Sequence, residues 1–436
     1  SAGPMRLAAV VLGMSVLLLL AGPTAALETG APSMEAGSEA SGEASKRWWE
    51  HDGLTGNWGG LRDTLARRGV DVRIVYTGDT LAVVTGGLHR HTAYLDNTDM
   101  TLTLDAEPLV GWTGARFFVY GLGDQGRDPS AALVGDLSGV DNIEAPDTFK
   151  LYEAWYLQEL FEGRFSILGG LYNLNGEFDV DESAQTFINS AFGIGTEYSQ
   201  AGLTGPSIFP VTALAVRLRV KPTEHWYVQT AVLDGAPGSL RDDGGTQIAW
   251  QGRDGVLVAA ETGCVLGQEE GAAVAYGKYA LGGWAYSTRL PRLESDSARE
   301  DSGSHGLYAF VEQQVYREAT DPTQGLALFV RVGYANPTFN PIEWTLSGGG
   351  TYTGLVPGRD ADLFGVATAT GWSGHDARDA GRAVGEPLLA AETVIEMTYR
   401  IQLTPWLTLQ PDLQYVVNPG LSSTIKDALV IGTRFT

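Results

Sequence analysis

The sequence contains a single cysteine, Cys264, among 436 residues, which excludes an internal disulfide and a thiolate-rich metal centre. Basic side chains are also scarce, with 29 Lys and Arg against 52 Asp and Glu and a net charge of −23. Such a polyanion repels phosphate backbones, so nucleic acid is excluded as a partner. Beyond the N-terminus no run reaches the ~18 consecutive apolar residues of a membrane-spanning helix, but strand alternation would hide a barrel's hydrophobicity from this test. Catalytic motifs are absent: there is no His-Glu-x-x-His, phosphate loop or Gly-x-Ser-x-Gly, and none of His51, His89, His91, His225, His305 and His375 lies beside an evident nucleophile. Neither enzyme activity, a cofactor nor a metal is expected. The His-x-His at His89 and His91 reads as part of a solvated external loop.

What the chain has in quantity is alternation. In Thr393–Leu403 the apolar positions Ile395, Met397, Tyr399, Ile401 and Leu403 interleave with Glu396, Thr398, Arg400 and Gln402, the period of two that defines a two-faced strand. The pattern resumes over Leu407–Val417 and again over Ala428–Phe435, with charges confined to one face. A soluble sandwich also alternates. These strands, however, are about ten residues long, the length that a tilted strand needs to cross a bilayer. Together with 57 glycines and 10% aromatic residues, they predict an all-β fold, a transmembrane antiparallel β-barrel.

Taken from the start, residues 1–4 precede the first methionine and read as a leader. Residues 5–26, with Arg6, the apolar stretch Leu7–Leu20 and Thr24-Ala25-Ala26, read as a signal peptide that exports the chain. Residues 27–47 are rich in Glu, Ser, Ala and Gly and predict a disordered acidic linker. Residues 48–69 predict a short periplasmic helix ending at Arg68, with Gly69 as its cap. Residues 70–436 form the barrel domain. Thirteen alternating segments near Val70–Leu81, Tyr94–Leu104, Ala115–Gly121, Phe149–Leu157, Phe165–Tyr172, Val211–Val220, Trp226–Leu233, Gly255–Thr262, Ala272–Tyr286, Gly306–Tyr316, Leu326–Tyr334, Glu343–Val356 and Asp362–Thr370 join the last three to give about 16 strands, the segment interrupted by Gly348-Gly349-Gly350 being the weakest. Short connections such as Lys221–His225 alternate with long ones such as Leu122–Thr148 and Asn173–Pro210, the asymmetry of a barrel with its N-terminus in the periplasm. Pro411 does not fit a strand in a closed barrel, and a bulge is expected there.

Charged residues on the polar strand faces carry the functional reading. An Arg facing lipid at mid-depth costs about 2–4 kcal/mol, so Arg73, Arg217, Arg219, Arg331, Glu396, Arg400, Asp412 and Arg434 are expected to line a wet lumen, where each either touches solute or pairs across strands. The Asn173–Pro210 connection interleaves aromatics with acids and amides. Loops of this length without secondary structure are functional or disordered, and the aromatics argue against disorder. It is expected to fold inward and narrow the pore, with Phe178, Phe187, Asn189, Phe192 and Tyr198 as constriction candidates.

Several segments resemble the carbohydrate-selective porins of the OprB type. These are Leu54-Thr55-Gly56-Asn57-Trp58-Gly59-Gly60-Leu61-Arg62, Gly170-Leu171-Tyr172-Asn173-Leu174-Asn175, Gly205-Pro206-Ser207-Ile208-Phe209-Pro210 and Pro411-Asp412-Leu413-Gln414-Tyr415-Val416-Val417-Asn418-Pro419. The resemblance implies a sixteen-stranded outer-membrane barrel of a Gram-negative bacterium that passes mono- and small oligosaccharides by facilitated diffusion. Its partners would be carbohydrate solutes and outer-membrane lipid, with self-association into homo-oligomers left open. The alternatives are a general diffusion porin with cation preference, and an outer-membrane hydrolase.

Overall fold

The computed structural model describes residues 47–238, 245, 246, 248, 254–268, 274–293 and 300–436. The expected leader, signal peptide and nearly all of the linker lie outside the described residues. The remainder is built from β1 (Val70–Gly87), β2 (Thr92–Asp105), β3 (Ala115–Gly126), β4 (Thr148–Leu160), β5 (Phe165–Tyr172), β6 (Ala213–Val220), β7 (Trp226–Asp234), β8 (Val256–Leu266) and β9 (Gly277–Tyr286), followed by a small ribbon of β10 (Leu290–Pro291) and β11 (Glu300–Asp301). Then come β12 (His305–Arg317), β13 (Gly325–Ala335), β14 (Ile342–Thr353), β15 (Leu363–Ser373), β16 (Ala391–Thr404), β17 (Leu407–Val417) and β18 (Lys426–Phe435). All but the ribbon pair antiparallel with their chain neighbours, and β1 closes on β18 in the register Asp79↔Arg434 and Leu81↔Gly432. The result is a closed sixteen-stranded barrel, which satisfies every strand edge without help from solvent.

Alternation fixes which way each side chain points. On β16 Glu392, Val394, Glu396 and Thr398 are at most 2% exposed, while Ile395 and Met397 between them are 47% and 44% exposed. The outward residues form an apolar band of Val216, Val228, Leu281, Leu307, Val330 and Ile431, with exposed aromatics toward both ends: Trp226 and Phe435 near the periplasmic turns, Phe149 and Trp344 near the outer loops. Aromatic girdles flanking an aliphatic band suit the two interfaces of a bilayer.

Two local expectations are corrected. Pro411 causes no bulge: Thr398↔Asp412 and Ile401↔Leu409 keep one register, and the only shift in that ladder falls between Gln402 and Thr404. The missing N–H instead leaves the pairs around Pro411 unmade on the β16 side, while Pro411 still opposes Thr433 of β18. The three glycines at 348–350 do not weaken β14, which runs unbroken and pairs with both neighbours through all three.

Candidate functional site: an occupied lumen

The interior of the barrel is filled from the outer side by two connections, residues 127–147 between β3 and β4 and residues 173–212 between β5 and β6. An inward loop carries backbone N–H groups that water no longer serves, and each needs an acceptor. The wall supplies carboxylates. Glu261 of β8 accepts the Asp179 N–H at 2.8 Å. Glu312 of β12 accepts the N–H groups of Glu182 at 3.0 Å and Ser183 at 2.8 Å, and the Ser183 hydroxyl. Glu396 of β16 accepts those of Ile188 at 2.6 Å and Asn189 at 2.9 Å. Glu392 holds the first loop in the same way, through the N–H groups of Leu137 and Ser138, both at 2.9 Å. Charge-assisted bonds of this kind are about twice as strong as neutral ones.

The wall arginines work in the opposite sense, taking carboxylates that the loops bring in. Arg217 forms a two-pronged pair with Glu177, at 2.6 and 2.7 Å, and donates to Ser166. Arg331 holds Asp179 at 2.6 Å and Glu197 at 2.8 Å at once. Arg434 binds Asp79 of β1 at 2.6 Å and reaches Asp141 and Asn142 of the first loop at 3.1 and 2.7 Å. Burial works to raise the Glu177 carboxyl pKa, but Arg217, and after it Arg219, outweigh this and hold it below the usual carboxylate value. The Arg331 cluster fits only because two residues nearby lack side chains. A Cβ on Gly195 would lie 2.1 Å from both the Arg331 guanidinium and the Glu197 carboxylate, and one on Gly333 would lie 1.8 Å from that carboxylate.

Between these polar fastenings the loop packs apolar surface against the wall. Tyr198 stacks on Trp284 of β9, with centroids 4.9 Å apart and planes within 6°, and lies 6.1 Å from Tyr308 of β12. Phe187 lies 4.9 Å from Phe192 and 5.9 Å from Phe329 of β13. Asn189 donates to Gln414 of β17 at 3.0 Å.

The sequence candidates thus separate into groups. The long loop folds inward, but Phe178, Phe187, Asn189, Phe192 and Tyr198 are all 3% exposed or less and face protein. Arg217, Arg331, Arg434, Glu396 and Asp412 are likewise buried. Asp412 lies on the same inner face as Glu396 and accepts a hydrogen bond from Gln414 at 2.9 Å. Three arginines are more open. Arg219 is 27% exposed, 3.8 Å from Glu177, with its guanidinium 4.6 Å over the Tyr227 ring. Arg73 is 56% exposed and holds only its neighbour Asp71. Arg400 points inward, between Thr398 and Gln402 on the strand, and has no hydrogen bond or ion pair among the described residues. On β3 and β4 Phe118 stacks on Trp155 at 4.8 Å, both half-buried on inward positions.

Sequence reasoning missed the wall fasteners Glu261, Glu312 and Glu392, and also the loop carboxylates Glu177, Asp179 and Glu197 that Arg217 and Arg331 hold. The alternation that singled out Glu396 would have found the wall glutamates, since Glu261 and Glu312 also interrupt apolar strands. No group of three or more potential metal ligands occurs among the described residues, His89 and His91 included.

Residues 89–436 match the family described as the carbohydrate-selective porin, OprB family. Porin B of Pseudomonas aeruginosa is 27% identical over 417 residues, covering 87% of this chain and 90% of that protein. The high-pH structure of Pseudomonas putida OprB superposes with a TM-score of 0.82 at 24% identity, covering 88% of this chain and 98% of that one. The low-pH structure of the same protein gives 0.57 at 19% identity over the same shares.

Proposed function

Because the chain belongs to the OprB family of carbohydrate-selective porins, and is therefore an outer-membrane carbohydrate porin, we propose that its sugars are read by the open arginines Arg219 and Arg400, with Arg73 in the periplasmic part of the lumen. The buried set, Arg217, Arg331, Arg434, Glu396 and Asp412 with the loop residues Phe178, Phe187, Asn189, Phe192 and Tyr198, holds the shape of the constriction. The observation that carries this reading is the contrast between arginines saturated by carboxylates and Arg400, whose donors have no partner among the described residues.

A guanidinium presents five N–H donors in a planar fork, which suits neighbouring sugar hydroxyls, and the stacked Phe118 and Trp155 offer an apolar face to the C–H side of a pyranose. Each contact is weak enough that solute also leaves, as passive conduction requires. No step in this passage makes or breaks a covalent bond, so the protein is read as a channel and not an enzyme.

The test is sugar-dependent block of ion current in planar bilayers, using mono-, di- and trisaccharides. Saturable block that weakens in Arg400→Ala and Arg219→Ala supports the assignment. A current indifferent to every sugar would point to a general diffusion pore.

A further inference from the structure

The residues that precede β1 lie on the periplasmic side, because β1 rises from its Val70 end and β18 returns there. Arg47–Gly69 carries a short helix, Leu61–Arg67, which Gly69 ends with φ +81°. The Gly69 carbonyl accepts the Asp105 N–H at 2.7 Å, and a Cβ on Gly69 would sit 2.5 Å from the Asp105 carbonyl oxygen. The segment is therefore tied to the foot of the β1–β2 hairpin. It also exposes Trp48, Trp49, Leu54, Trp58 and Leu61, each by 40–65%, a concentration of apolar surface that needs an explanation in a watery compartment.

Two observations say what covers it. The Trp48 ring lies 5.3 Å from that of Trp406, which sits in the two-residue turn between β16 and β17. Leu403, just before that turn, is 50% exposed on the outward face of the barrel. Trp406 is thus at the level where the hydrocarbon ends, and Trp48, with Trp49 edge-on to it at 5.8 Å, is held to the same level.

Charge points the same way. The segment has four arginines, 47, 62, 67 and 68, against Glu50, Asp52 and Asp63, in a chain whose net charge is −23. Two of the three acids are engaged locally: Glu50 accepts the Arg47 N–H at 2.9 Å, and Asp63 is held by Asn57. An aromatic-rich, locally cationic segment continuous with a lipid-facing girdle has the chemistry of an interfacial anchor.

We propose that Arg47–Gly69 lies on the periplasmic leaflet of the outer membrane, with Trp48 and Trp49 at the headgroup boundary and the arginines on lipid phosphates. The segment is then a docking surface for anionic phospholipid, separate from the pore.

In a Cys264→Ser background, a spin label at Trp49→Cys reads its depth in vesicles of phosphatidylethanolamine and phosphatidylglycerol. The expected ratio of oxygen to nickel-chelate accessibility matches, within twofold, that of a label at the girdle position Trp226→Cys. A ratio equal to that of a label on the periplasmic turn residue Asp360→Cys overturns the proposal, as does dipolar broadening that places two labels together and so makes a second copy the occupant. Unchanged single-channel conductance checks the fold. As an independent reading, the double variant Trp48→Phe with Trp49→Phe should show a smaller quenched share of tryptophan fluorescence with lipids brominated near the headgroup, the remainder coming from girdle tryptophans such as Trp226 and Trp406; a quenched intensity undiminished from that of the parent also overturns it.

Discussion

Two parts of the lumen wall use the same residue in opposite ways. Where the inward loops cover the wall, Arg217, Arg331 and Arg434 are at most 8% exposed, and each is neutralised by carboxylates within hydrogen-bonding distance. In the uncovered part, Arg73, Arg219 and Arg400 face the same interior with one distant or local partner, or none among the described residues. What separates the two groups is the opposing surface. A guanidinium under a loop is a fastening, and its energy lies in the fold; one facing water is available to whatever passes.

The comparison breaks most visibly at Arg331. Arg331→Ala strands Asp179 and Glu197, both fully buried, and removing one partner of such a cluster costs about 3–5 kcal/mol. The expected result is a lower thermal unfolding midpoint together with higher and noisier single-channel conductance as the loop detaches; an unchanged midpoint would put the fastening elsewhere. Gly333→Ala tests the same site from the other side by intruding on the Glu197 carboxylate, with an expected loss of about 1–3 kcal/mol from overpacking in the same melting experiment. In the open group, Arg400→Ala should leave the midpoint within error and weaken sugar-dependent current block about three- to tenfold, on the order of 1 kcal/mol. A variant that loses stability and keeps its block would move Arg400 into the fastened group.

The smallest effect expected is on pH. The folded-state pKa of Glu177 is depressed, so its contribution is present above the unfolded value, roughly 4.3 for a glutamate, and is lost as pH falls through the lower folded value. Acidification below about pH 4 should loosen the Glu177 end of the loop, and Glu177→Gln should abolish that acid-dependent change. If the variant and the parent respond identically, another carboxylate governs it.

The barrel was legible because its determinant is local. Each strand declares its two faces through a period of two, so all sixteen strands lie where alternation placed them, and the long and short connections fall on opposite ends. Pro411 and Gly348–Gly350 depart from the local expectation for different reasons: a strand flanked by two others tolerates the few rungs left unmade beside Pro411, whereas the glycines keep every rung because both neighbours hold their backbone. The site was legible only halfway. Alternation gives the sign of the direction in which Arg217 or Arg400 points, but whether a carboxylate waits there depends on a loop some 40 residues or more away in the chain for Arg217, and more than 150 for Arg331. The aromatics of Asn173–Pro210 point to an inward fold, but not to their packing: they form the loop's own core against Trp284, Tyr308 and Phe329.

The wall glutamates add one more consequence. Glu261, Glu312, Glu392 and Glu396 grip the loops chiefly by main-chain N–H groups, and a main-chain amide is the one donor that nearly every amino acid offers. Residues at 137, 182, 183, 188 and 189 can therefore mutate, proline excepted, without releasing the main-chain part of these holds. This part of the attachment is blind to the letters of the loop, unlike the arginine fastenings, which need Glu177, Asp179 and Glu197 in place; a lineage of such proteins can therefore rewrite the other loop positions while inheriting unchanged the wall glutamates that moor them.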